Sequence, residues 1–284
     1  MTSPNTETQP PTRQTTCKRM KTRLMTRPSS LLADGSLQLH APHSWNELTQ
    51  EQLRYVLTLL TQGWTEYQMR TYLFARFCGI KVLNEKKDGW LCETELEDGK
   101  KQRFFLQLWQ VQSFCETFDY IFDGNGADNR LDFIGPYKAV DVELHDFAFA
   151  NYITADNFFQ QFLQSDKTSN APLREMARCL YLKADGKEPD TIDCSESELM
   201  GVFLWFMFVK DNFSKHFPHL FKPAPDSGEE YDQQAAMDAQ IRALTGGDIT
   251  KEKQIERSDV WRALTELDAK AREAEELKDK LKTS

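Results

Sequence analysis

Eleven consecutive apolar residues, "LMGVFLWFMFV" from Leu199 to Val209, interrupt an otherwise polar and acidic chain and restrict its fold more than any other stretch. A bilayer-spanning helix needs about 20 mostly apolar residues. This run is shorter, and Glu196 and Glu198 bracket it on one side, Lys210 and Asp211 on the other. The preceding "SESE" has capping-box form, with Ser195 as cap and Glu198 reaching back, so the run lies within a helix that is apolar all round. Such a helix belongs at the centre of a core. Phe203, Trp205, Phe206 and Phe208 therefore read as packing rather than as a cofactor box.

Helical and extended periods alternate ahead of this rod. "SWNELTQEQLRYVLTLLTQGW" opens with Ser44 and Glu47 at capping-box spacing and sets Leu53, Val56, Leu57 and Leu60 on one face. Thr65 and Gln68 start a second helix, with Met69, Leu73 and Phe77 as its stripe, Tyr72 beside it and Gly79 as its stop. So short a turn predicts a helical hairpin. "IKVLN", "GWLCETEL" and "KQRFFLQ", separated by Asp-Gly turns, predict an antiparallel meander over about residues 80–107. Leu108 to Phe122 returns to helical spacing, and "LDFIGPYKAV" is extended because Pro136 forbids regular helix. Thr154 heads a helix through Phe158, Phe159, Phe162 and Leu163, and Pro172 stands in the first turn of another, "PLREMARCLYL".

Beyond the rod, "FKPAPDSGEE" has the composition of a linker, which predicts a main domain over 35–222, a linker at 223–230 and a helical C-terminal extension over 231–284. In the extension, "YDQQAAMDAQIRAL" ends at Gly246 and Gly247, and a long helix runs from Thr250 to the C-terminus. Val260, Leu264, Leu267, Ala271 and Ala274 follow 4-3-4-3 spacing, with Trp261 beside the seam and Leu277 and Leu281 continuing it imperfectly. Residues 251–282 carry nine acidic and nine basic side chains, so one face of this helix can remain wet. Glu266 with Lys270, Asp268 with Arg272, and Glu276 with Lys280 have the favourable acid-first spacing, worth about 0.2–0.5 kcal/mol each. The seam either packs back on the parent domain or presents an apolar stripe to another protein, and the spacing alone leaves both open. Val260, Trp261, Leu264 and Leu267 are the candidate partner-binding residues.

Charge narrows the partners. The first 30 residues hold six basic side chains against Glu7 alone, and read as a disordered basic arm over residues 1–34 rich in Thr, Pro and Ser. That arm lacks the apolar centre of a secretory signal. With a chain total of −9, the body is acidic and unsuited to general binding of phosphate backbones. The six cysteines stand singly, without a CxxC pair, which fits reduced thiols in a cytoplasmic protein better than structural zinc or a disulfide framework.

Motifs that could carry chemistry fall short on spacing. "DGNGADN" at 123–129 offers Asp123, Asn125 and Asp128, but an EF-hand loop from Asp123 would place a Gly at 128 and a Glu at 134, where Asp128 and Ile134 stand. It reads as a polar turn. "HFPH" puts His216 and His219 three apart with Pro218 between them and no further ligand pair nearby, so metal binding is not expected. There is no GxSxG, and "TGGDITKEK" lacks the spacing of a phosphate-binding loop. Neither a catalytic residue nor a cofactor is expected, although carboxylates dispersed in sequence could still converge into an enzyme site.

The stretch "IRALTGGDITKEKQIERSDVWRALTELDAKAREAEEL", 241–277, resembles uncharacterised proteins encoded in prophage tail modules near the tape-measure gene. "GPYKAVDVELHDFAFANYITADNFFQQF", then "LREMARCLYL" and the aromatic helix ending "HFPHLF", are similar too, so the resemblance covers most of 135–277. It contains no catalytic signature. What it implies is a morphogenesis role: a tail assembly chaperone or accessory protein in the host cytoplasm that binds the tape-measure or tail tube protein through helical apolar surfaces. A structural tail completion or adaptor protein is the alternative. The fold expected is α+β, mostly helical, with a small antiparallel meander and a long C-terminal helix.

Overall fold

The computed structural model describes residues 30–31, 37–96, 98–222 and 233–282. Most of the basic arm and all of the expected linker at 223–230 lie outside the described residues. In chain order the elements are β1 (Ser30–Leu31), β2 (Leu37–Gln38), α1 (Gln50–Leu60), α2 (Glu66–Phe77), β3 (Ile80–Lys86), β4 (Gly89–Glu95), β5 (Lys101–Gln107) and α3 (Leu108–Glu116). They continue with β6 (Phe133–Ile134), β7 (Tyr137–Ala139), α4 (Phe149–Gln164), α5 (Ala171–Leu180), β8 (Tyr181–Leu182), α6 (Glu196–His216), α7 (Gln233–Thr245), α8 (Glu252–Glu256) and α9 (Val260–Lys282). The fold is α+β and mostly helical, as expected.

The apolar run is the middle of α6. Ser195 accepts from the Glu198 backbone N–H while the Glu198 carboxylate accepts from the Ser195 backbone N–H, closing the capping box. Leu199, Val202, Trp205, Phe206, Val209 and Phe213 are buried, and Phe203, Leu204, Met207 and Phe208 pack against the same core. Two glycines permit close approach to this rod. A Cβ on Gly201 would stand 2.7 Å from Leu57 Cδ1, so α1 crosses α6 there, and one on Gly126 would stand 2.0 Å from the Phe208 backbone nitrogen. The "DGNGADN" turn is therefore a backbone-on-backbone contact, with Ala127 N–H donating to Leu204 O at 2.9 Å.

The meander forms as β3-β4-β5, antiparallel throughout, and turns Trp90, Cys92 and Leu106 inward. Its core contact is aromatic: Phe74 of α2 stacks on Phe114 of α3 with centroids 5.1 Å apart and lies 6.5 Å from Trp90. The second helix starts at the Thr65–Gln68 box and ends before Gly79, whose φ of 63° suits the residue that ends it.

Five boundaries depart from the sequence reading. The first helix is capped by Thr49 with Gln52 rather than by Ser44 with Glu47, whose segment is a short 3-10 turn. The Ser44 hydroxyl instead bonds the Asn46 side chain, and the Glu47 carboxylate accepts from His43 N–H. The helix that begins at Leu108 closes at Glu116, and a separate 3-10 turn covers Asp119–Ile121. The helix assigned to Thr154 begins at Phe149, because that fully buried ring and its N–H, bonded to Ser258 O, anchor the chain there. Tyr181–Leu182 leaves the α5 helix to pair with β7, completing a second three-stranded sheet, β6-β7-β8, not foreseen from "LDFIGPYKAV". Finally, the long terminal helix is interrupted at residues 257–259, where Ala148 and Asp259 form an antiparallel bridge.

Candidate functional site: the seat of the C-terminal helix

Of the four residues expected to meet a partner, three are buried in this molecule and Trp261 is partly buried against the same core. Val260, Leu264 and Leu267 are 0%, 1% and 4% exposed and belong to the same buried cluster as α6. Of the two roles the spacing leaves open, packing back on the body is the one these positions take in this structure, where one buried cluster holds residues of both α6 and α9. Burial of apolar surface drives the first half of α9 onto the body, and specific contacts fix its seat.

Trp261 is the centre of that seat. Its ring lies between His145, stacked at 5.0 Å, and the edges of Phe213, His216 and Phe217 at 5.2–5.5 Å. Its indole N–H donates to Glu143 O at 2.8 Å. The loop supplying Glu143 and His145 carries two left-handed residues, Leu144 at φ 63° and Asp146 at φ 56°. A non-glycine residue adopts that conformation at a cost, and here the loop is held by Asp146 N–H donating to Asp259 Oδ2 at 2.9 Å and by Val260 N–H donating to Phe147 O at 2.9 Å.

Two carboxylates of α9 grip the turn after α6. Asp268 Oδ1 accepts from the backbone N–H groups of His219 and Leu220 at 2.8 and 2.9 Å. Glu275 accepts from Lys222 Nζ at 2.6 Å through both oxygens and lies 3.1 Å from His219 Nδ1. Lys222 first, then His219, holds the Glu275 carboxyl below its ordinary range. The two histidines of "HFPH" thus serve different contacts, one on Trp261 and one on Glu275. Among the described residues there is no cluster of three or more His, Cys, Asp or Glu placed to hold a metal.

Asp268 was expected to pair with Arg272 and is used instead as a backbone acceptor. The contacts that define the seat come from residues 143–149 and 213–222, segments that carry no helical periodicity relating them to α9. Only the 4-3-4-3 spacing hinted that this helix covers something. The burial of that seam gives out before its apolar residues do: residues 276–281 are exposed, with Leu277 at 60% and Leu281 at 78%.

The five described cysteines are buried. Burial pushes Cys78 and Cys179 up to about 12 and Cys92 and Cys194 up to about 11, and raises Cys115 as well. No helix among the described residues is long and apolar enough to cross a membrane. No protein family, characterised protein or solved structure matches the chain.

Proposed function

We propose that this protein is a non-enzymatic accessory of phage tail assembly, a chaperone that shields a helical partner such as the tape-measure protein. The observation that carries the reading is the change in α9 from a buried half to an exposed half. Its apolar seam is satisfied by the body as far as Leu267 and then continues, exposed among the described residues, through Leu277 and Leu281. From Glu276 to Lys282 the helix runs for about 10 Å, long enough to lie along one or two turns of another helix, the packing mode that heptad-like spacing serves. The charged residues around those leucines keep the exposed end wettable. The resemblance of 241–277 to prophage tail-module proteins supplies the class of partner.

The contact moves, relative to the sequence expectation, from Val260–Leu267 to the distal leucines. Co-expression with the tape-measure protein from the same gene neighbourhood tests it. Wild-type protein retains the partner through affinity purification, and the double variant Leu277→Asp/Leu281→Asp, folded by circular dichroism, releases it. Equal retention by both proteins would remove the distal helix from the interface. Presence in finished particles would favour an adaptor over a chaperone.

A further inference from the structure

The β3-β4-β5 meander ends on two edges of different build. Along β3 the pairing is broken by a register shift between Val82 and Asn84, and such a bulge discourages a further strand from adding there. β5 has no such break: all seven of its residues, Lys101–Gln107, hold one register with β4. Leu96 N–H donates to Lys100 O at 2.8 Å and Leu108 N–H to Asp88 O at 3.2 Å. Hydrogen-bonded pairs in an antiparallel ladder recur at every second residue, so Gln102, Phe104 and Leu106 turn their backbone groups toward β4. Lys101, Arg103, Phe105 and Gln107 turn theirs to the outer edge, where no strand lies among the described residues.

The side chains of that edge are drawn back from it. Natural edges are commonly guarded by charges that stand over them. Here Arg103 Nε lies 3.1 Å and Lys101 Nζ 3.5 Å from the carboxylate of Glu93 in β4, whose side chain is only 12% exposed. Phe105 leans the same way, since a Cβ on Gly89 of β4 would stand 2.8 Å from its Cζ. Local side chains meet two of the outer backbone groups: the Gln102 amide donates to Arg103 O at 3.2 Å, and Gln110 Oε1 accepts from Gln107 N–H at 3.0 Å. The Phe105 N–H and C=O between them take no such cover among the described residues. Just past the strand, Leu108 and Trp109 are 49% and 65% exposed.

We infer that the β5 edge pairs with the β5 edge of a second copy of this chain, joining two meanders into one six-stranded antiparallel sheet about a two-fold axis. The register points to this partner. Matching the outer backbone groups about a two-fold axis puts odd-numbered residues opposite odd-numbered residues. Arg103 opposite Arg103 sets cation against cation, which is unfavourable. Phe105 opposite Phe105 carries Lys101 past the strand to the level of Trp109 in α3 and loses a pair at each end. Arg103 opposite Phe105 avoids both: Lys101 then faces Gln107, Phe104 faces Phe104 across the axis, and no like charges oppose each other. That register also lays the 99–100 turn of each copy beside Leu108 and Trp109 of the other. A second copy is favoured over an unrelated strand because it supplies the ring for Arg103, the uncharged residue for Lys101 and the cover for Leu108 and Trp109 together. Seven residues per copy bury less than the roughly 800 Å² per partner of a standard interface, so the dimer is weak, with a dissociation constant of about 10 µM.

Sedimentation velocity on the full chain from about 1 to 200 µM tests this, with wild type passing from monomer to dimer across that range. Phe105→Pro removes an outward N–H at a position where an edge strand accepts proline; it weakens the dimer at least about ten-fold while far-UV circular dichroism stays native. Phe105→Lys keeps the backbone and sets a second cation opposite Arg103 in both halves, so it weakens the dimer likewise and decides the matter should the proline variant fold poorly. The register is read by oxidative cross-linking in a Cys17→Ser background. Arg103→Cys protein and Phe105→Cys protein join when mixed, since opposed residues lie about 5.5 Å apart between Cα atoms, within disulfide reach. A chain that stays monomeric throughout, a dimer undiminished in both Phe105 variants, or cross-linking of either cysteine variant alone in preference to the mixture would each overturn the proposal. Leu277→Asp/Leu281→Asp leaves the dimer intact. Its loss in that variant, with both Phe105 variants still dimeric, would move self-association to α9 and overturn the β5 pairing.

Discussion

Leu264 separates an internal helix from a docking helix most sharply, because it occupies the seam yet is 1% exposed within the common core. Leu264→Ala removes three carbons there and leaves a cavity among Val260, Leu267 and their neighbours. Substitutions of this kind cost about 2–5 kcal/mol, a large share of the roughly 5–15 kcal/mol that holds a domain together. With a urea slope of about 3 kcal/mol per molar, the upper part of the range for small proteins, the midpoint falls by about 1 M. The assay is urea unfolding followed by far-UV circular dichroism and by tryptophan fluorescence on one sample. The fluorescence sums six tryptophans, from Trp45 ahead of α1 to Trp205 in α6 and Trp261 in α9, so transitions that coincide with the circular dichroism and shift by the same amount are expected. Leu281→Ala, at 78% exposure, should stay within about 0.5 kcal/mol of wild type. An unchanged midpoint for Leu264→Ala would refute the reasoning. So would early loss of helical signal while most of the tryptophan signal remains native, since α9 would then be a separate unit.

Other parts of the structure make equally direct demands. Gly126→Ala drives a Cβ into the α6 backbone 2.0 Å away, where no flexible side chain can yield, so thermal unfolding should show a loss at or above the usual 1–3 kcal/mol of overpacking. With their thiols raised by burial, Cys78, Cys92, Cys115, Cys179 and Cys194 should stay unmodified by a thiol reagent at pH 8 in the native state and all react in urea, read by peptide mass. Burial pushes the Glu198 carboxyl up, but bonds from the Ser195 backbone and hydroxyl and from Arg54 outweigh it and leave it below its ordinary 4.5. Its stabilisation is therefore complete above that value and is lost as pH falls through the lower folded value, and Glu198→Gln should flatten the acid limb of a stability–pH curve measured by urea midpoints.

The elements legible in the sequence were those whose cause is local. The Ser195–Glu198 and Thr65–Gln68 boxes, the apolar run and the Asp-Gly turns each act within a few residues, and the helices and meander they predict are present. What escaped was decided elsewhere in the chain. Thr49 out-competes Ser44 as a cap because Ser44 and Glu47 have been engaged by Asn46 and His43. β8 forms because Ala139 and Lys138 of β7 are within reach of Tyr181 and Leu182, two residues that continue the helical pattern of α5 on sequence alone.

The seam of α9 carries this distinction into function. A 4-3-4-3 spacing states that one face of a helix avoids water, and it is silent about which surface does the covering. Here the answer differs along one helix. As far as Leu267 the covering surface is built from α7, α4 and the strained loop at 141–147, with Trp261 reaching the end of α6 and Asp268 locking the turn after it. After the Glu275 grip on Lys222 the body ends, but the apolar residues do not. Had the seam served packing alone, polar substitution at Leu277 and Leu281 would have cost the body nothing, and the flanking side chains show that polar residues are accepted there. The two leucines stand where burial among the described residues does not account for them, and that exposure is what supports the proposed contact with another chain.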